Sequence, residues 1–195
     1  MKYLGFILSI FCVMQSVNAQ ERLTTLSSNP LLKIETPSYS LKKQVINLPF
    51  ADDFNQTSYF PENSRWTDND VFVNNTYPIN PPTIGVATFD GLNSSGEPYD
   101  SYNNSFGEAD HLTSAAIDLS SYQESDNIYL SFYWQVGGYG ERPESARDYL
   151  IVEFLNTNQE WIQVLRINPA DTVNPFKQEF IQVKSGFLSE QFQFR

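Results

Sequence analysis

Chemistry in this chain is limited first by its histidine count: His111 is the single imidazole in 195 residues. Zinc sites gather several His, Cys or carboxylate ligands at short spacing, and the chain offers one histidine and one cysteine, Cys12. A Ser-His-Asp triad would need His111 as its base. Asp110 and Ser114 are near it in sequence, but no Gly-x-Ser-x-Gly elbow is present to expose a nucleophile. His111 therefore reads as a loop or strand-edge residue. Glycoside hydrolysis needs two carboxylates facing a sugar, about 5–10 Å apart. Glu108-Ala109-Asp110 is the nearest approach to such a pair. These residues point away from an enzyme.

Calcium fits the composition better. It takes roughly six to eight oxygen ligands from loop carboxylates and carbonyls. Asp52-Asp53, Asp68-Asn69-Asp70, Asp90 and Glu108-Ala109-Asp110 supply such oxygens in loop-like segments. No EF-hand loop follows Asp68, because its glycine and terminal glutamate are missing. A second kind of binding chemistry is aromatic stacking on a ligand. Trp66, Tyr99, Tyr102 and Tyr139 lie in irregular segments where rings stay accessible, whereas Trp134 and Trp161 fall on strand patterns and read as core.

The elements that must position these residues are strands. Residues 128–136 alternate, with Ile128, Leu130, Phe132, Trp134 and Val136 on one side and Tyr129, Ser131, Tyr133 and Gln135 on the other. That is the period of a strand with one face in a core. Gly137-Gly138-Tyr139-Gly140 breaks it. Runs 149–155 and 161–167, joined through Asn156-Thr157-Asn158, predict a hairpin. Further strands are expected at 84–89, 180–184 and 191–195, and the folded unit at 45–195. Many short strands separated by turns predict an all-β, antiparallel β-sandwich or barrel. Residues 51–110 are rich in Asn, Asp, Ser, Pro and Gly; loops of that length carry function.

The N-terminus predicts export. Lys2, the apolar run 4–13 and the small residues before position 20 are the three parts of a cleavable signal peptide over residues 1–19. The run is shorter than the roughly 20 residues of a membrane span. Cleavage removes Cys12 and Lys2, so the mature chain is thiol-free and one unit more negative than the −11 of the whole. Such a charge argues against nucleic acid and anionic membrane as partners. Residues 20–44 read as an N-terminal arm or linker. At the other end, Phe192 and Phe194 alternate with polar residues up to Arg195, with no later strand to pair with them. An open apolar edge is an aggregation hazard, so the domain is expected to be incomplete, the N-terminal part of a longer protein.

Leu112-Thr113-Ser114-Ala115-Ala116-Ile117-Asp118-Leu119-Ser120, followed by Tyr129-Leu130-Ser131-Phe132-Tyr133-Trp134, resembles the core of MAM-type and related concanavalin-like jelly rolls. Leu48-Pro49-Phe50-Ala51-Asp52-Asp53-Phe54, then Trp66, Val71-Phe72-Val73-Asn74-Asn75 and the run 81–92, resemble large secreted surface proteins of Bacteroidota. That class is associated with type IX secretion and gliding motility. The resemblance implies a jelly-roll sandwich with a structural calcium near the N-terminal strand, which would make Asp52 or Asp53 a ligand. It also implies a secreted or cell-surface, non-catalytic domain for adhesion or for binding a glycan or surface protein. Lectin-like hydrolases of similar fold carry Glu-x-Asp-x-x-Glu on one strand, a run this chain lacks. An accessory domain of a secreted hydrolase and a structural spacer are the alternative readings.

Overall fold

The computed structural model describes residues 26–34, 45–99, 107–144, 147–169 and 175–195. The signal-peptide reading and Tyr102 fall outside these residues. Among the described residues eight strands appear in chain order: β1 (Val45–Ile46), β2 (Phe72–Asn74), β3 (Val86–Thr88), β4 (Ala116–Ile117), β5 (Tyr129–Trp134), β6 (Leu150–Leu155), β7 (Trp161–Ile167) and β8 (Lys177–Gln182). The only helical elements among the described residues are single 3-10 turns at Glu124–Asp126 and Ser185–Phe187. The chain is all-β. No helix among the described residues is long and apolar enough to cross a membrane.

The alternation at 128–136 becomes β5, which pairs antiparallel with β8 in the register Leu130↔Ile181 and Ser131↔Phe180. Leu130, Phe132 and Ile181 turn to one side and join the main apolar cluster. Runs 149–155 and 161–167 become the antiparallel pair β6–β7. Their turn is held by Asn156, whose Oδ1 accepts from the amides of Asn158 and Glu160, both at 2.9 Å. An Asx residue that captures nearby amides is why an Asn-rich run turns the chain here.

Segment 192–195 departs from expectation. It is not an edge. Phe192 and Phe194 direct their carbonyls to the amides of Ile117 (2.7 Å) and Ser114 (2.9 Å), on the β4 side. Arg195 exchanges both backbone bonds with Glu153, and Gln193 accepts from Leu155, on the β6 side. Successive residues thus bond alternately left and right, as a central strand does, and both phenylalanines are buried. β1 lies parallel beside β4, Val45 opposite Ala116, a departure from the purely antiparallel expectation. The hydrogen-bonded order is β1, β4, 192–195, β6, β7.

One cluster draws side chains from this ladder and from the β5–β8 pair: Trp66, Ile117, Leu119, Val152, Phe154, Val183, Phe192 and Phe194, with Phe50, Phe54, Leu130, Phe132 and Ile181 packed against it. Its rings meet edge to face, Phe154 on Phe192 at 5.2 Å and Phe50 on Phe194 at 5.3 Å. A smaller cluster seats Leu32 against Phe60 and Phe72. Part of the expected arm is therefore docked on the body, with the Asn29 amide bonded to the Gly96 carbonyl at 2.8 Å.

The glycine loop after β5 is pinned. Gly138 has φ +55°, and a Cβ there would run into the Tyr77 carbonyl oxygen. That carbonyl accepts the Tyr139 amide at 2.7 Å. Gly138→Ala combines a left-handed strain with a backbone clash. It is expected to cost about 2 kcal/mol or more, read as a lower melting temperature. An unchanged melting curve would mean that the loop is not held by Tyr77.

Candidate functional site

The residues that could do chemistry converge at one end of a short antiparallel run. Trp66 bridges to Ser114. The Thr67 amide bonds to the Thr113 carbonyl at 2.8 Å. In return the Thr113 amide bonds to Asp68 Oδ2 at 2.9 Å. One step further, the His111 amide reaches the Asp70 carboxylate. This pairing carries Asp70 to the neighbourhood of Asp110. The turn at Asp90-Gly91-Leu92 closes on the same place: Asp90 Oδ1 accepts the Leu92 amide at 3.1 Å, and Asp110 Oδ2 accepts the Gly91 amide at 2.8 Å. Gly91 takes φ +72° in that turn. Three aspartates, each about twenty residues from the next in sequence, thus share one corner with Tyr99.

Burial sets their electrostatics. Asp110 is pushed up to about 7, first by loss of solvent and then by the Asp90 charge; the Gly91 and Tyr99 hydrogen bonds oppose the shift. Asp90 is raised to about 6, again by burial. Burial and the neighbouring Asp68 raise Asp70 as well. Tyr99 gives its hydroxyl to Asp110, and burial together with the surrounding carboxylates holds that phenol well above its ordinary range. Like charges in a desolvated corner favour the protonated form. The arrangement can share protons among carboxylates near neutral pH, or accept a cation in their place.

Fit to a cation is partial. Asp110 Oδ1 is buried and, among the described residues, has no hydrogen-bond partner, as an oxygen awaiting a ligand would be. Yet among the described residues no three His, Cys, Asp or Glu side chains stand at metal-holding spacing, so an ion would have to draw the carboxylates together.

The other expected residues go elsewhere. Asp52 spends both oxygens within the protein: Oδ1 accepts the Phe54 amide at 2.9 Å, and Oδ2 accepts Trp66 Nε1 at 2.6 Å. Asp53 is exposed, and its carbonyl accepts the Gly85 amide at 3.1 Å. Trp66, expected among the accessible rings, is a core residue at 6% exposure. It stacks on Phe54 at 5.8 Å and meets Phe50 edge-on at 5.2 Å. A polar, irregular flank concealed that burial, because the apolar partners come from distant segments. Tyr99 and Tyr139 do remain exposed. His111 lies 3.6 Å from Glu108.

Sequence reasoning missed two features. The first is the meeting of Asp70, Asp90 and Asp110, which were recognised only as separate oxygen donors. The second is the candidacy of the outward face of β5 as a binding surface, where Tyr129 and Tyr133 are exposed. The alternation that sends Leu130 and Phe132 inward was a sufficient signal for that face. Compared with protein families, curated proteins and solved structures, the chain matches none.

Proposed function

We propose that this chain is an exported, non-catalytic binding or adhesion domain of a larger bacterial surface protein, built as a MAM-like jelly-roll β-sandwich, whose ligand is a glycan or a surface protein. The single observation that carries the reading is Tyr139. The residue is 74% exposed on a loop whose backbone is locked to the Tyr77 carbonyl and by a Gly140–Gly137 hydrogen bond of 2.9 Å. Gln135 reinforces the lock, its amide bonding both the N–H and the C=O of Ile79 at 2.9 and 3.0 Å. A rigid aromatic ring held in water offers contact area with little ordering cost on binding. The sandwich reading is supported by the shared cluster between β5–β8 and the five-membered ladder.

The test is a panel of immobilised glycans and surface proteins probed with the whole chain. Saturable binding without turnover is expected, weakened about tenfold or more by Tyr139→Ala at an unchanged melting temperature. Absence of any saturable binding, or product release from a bound glycan, would reject the reading. A structural calcium ion belongs to the same reading, and Asp110 Oδ1, buried without a hydrogen-bond partner among the described residues, supports its placement among Asp70, Asp90 and Asp110. Calcium is then expected to raise the melting temperature at pH 8 and a chelator to reverse the gain; an identical curve with both removes the ion.

A further inference from the structure

The outer face of β5–β8 is a strip of alternating rings and neutral polar groups. Register sets Tyr129 opposite Gln182, Ser131 opposite Phe180 and Tyr133 opposite Gln178. Tyr129, Tyr133 and Phe180 are 51%, 48% and 63% exposed. Side chains two apart on a strand share a face, so the two tyrosines stand about 13 Å apart. Phe180 lies diagonal to both, within about 7–8 Å. That span suits several units of a polymer rather than a single small ring. Exposed aromatic surface of this extent marks an interaction site.

Charge identifies the kind of partner. The whole chain carries −11, yet Tyr129, Ser131, Tyr133, Gln178, Phe180 and Gln182 include no ionised group. The charged residues of these strands lie on the opposite side: Lys177 over the Trp134 ring at 5.2 Å, and Glu179 accepting from Trp134 Nε1 at 3.2 Å. Among these six side chains a polyanion would meet no cation, and it would be repelled by the acidic chain; a basic segment would meet no carboxylate among them. An apolar protein surface would leave amides and hydroxyls unpaired between the rings. A neutral sugar polymer matches both components, its C–H faces stacking on rings and its hydroxyls bonding to Gln and Ser.

We propose that the outer face of β5–β8 binds a neutral polysaccharide. The proposal rests on the reading of the chain as a binding domain and gives it a second face and a ligand class. The test is affinity electrophoresis of the whole chain through gels containing neutral glucan, xylan or mannan, with uronate and sulfated polymers alongside. Tyr129→Thr, Tyr133→Thr and Phe180→Thr keep strand-forming residues at each place. At least one neutral polymer is expected to retard the chain, and each variant to weaken that retardation about tenfold with the melting temperature preserved. Retardation by charged polymers alone, or retained in the triple variant, overturns the proposal. So does a dimer by sedimentation that the triple variant dissolves, which would assign the face to a second copy. Loss in Tyr139→Ala with full retention in the strand variants overturns this face while leaving the binding-domain reading intact.

Discussion

Deleting residues 192–195 is expected to abolish the cooperative melting transition. The segment lies between β4 and β6, and its removal breaks the ladder on both sides. Four amides, those of Ser114, Ile117, Glu153 and Leu155, lose their acceptors at once. Two more bonds vanish at Ser114: its carbonyl accepts from Gln193 Nε2 at 2.6 Å, and its hydroxyl accepts the Phe194 amide at 3.1 Å. Phe192 and Phe194 leave a hole beside Phe154, Phe50 and Trp66. Loss of one buried phenylalanine side chain costs about 3–5 kcal/mol, and two approach the roughly 5–15 kcal/mol that holds a whole domain together. The Arg195–Glu153 ion pair at 2.6 Å and the Arg195 guanidinium 4.5 Å over Trp161 go as well. Near-ultraviolet circular dichroism during heating gives the answer. If the deletion melts cooperatively within a few degrees of the whole chain, the segment is peripheral and this account of the ladder is wrong. Phe194→Leu keeps an apolar filling and should lower stability only modestly, which separates packing from chain length.

Acid should stabilise this protein between pH 8 and pH 5. Asp110 and Asp90 hold protons to about 7 and about 6 when folded, against an ordinary 3.8. Asp70 is displaced the same way. The folded chain therefore binds more protons than the unfolded chain from about pH 4 to pH 7. Stability falls as pH rises through that window, and the contribution is complete only below the unfolded value. Asp118 is displaced oppositely, through its bonds to Ser120, so its effect is lost only in more acidic solution. Asp110→Asn keeps an oxygen for the Gly91 amide and removes the charge. At pH 8 it is expected to stabilise by roughly 1–3 kcal/mol, since one unit of pKa corresponds to about 1.4 kcal/mol. At pH 4 the gain should vanish, and the slope of melting temperature against pH should flatten. A wild-type melting temperature that climbs from pH 5 to pH 8 would reject the cluster as described. So would an Asn variant equally destabilised at both ends.

Local pattern was enough to reveal most strands. β5, β6 and β7 fall where alternation and apolar runs placed them, because a half-buried strand writes its period directly into the side chains. The Asn156 turn and the Gly138 break were legible for the same reason: each depends on what one residue can do to its own backbone. The acidic site was legible only in pieces. Asp70, Asp90 and Asp110 were each recognisable as oxygen donors, but nothing local says that the run 66–70 will lie against 111–114.

Sequence by itself therefore determined the all-β class, the inward and outward faces of β5 and the turn chemistry. Tertiary structure alone decided the neighbours: β1 parallel to β4, β5 beside β8, and 192–195 between β4 and β6. Strand pairing is made by backbone groups that every residue carries, across long loops, so composition leaves it open. Burial follows pairing. Phe192 and Phe194 became core, Trp66 withdrew from the surface, and Asp110 was desolvated, because partners from far along the chain came to cover them.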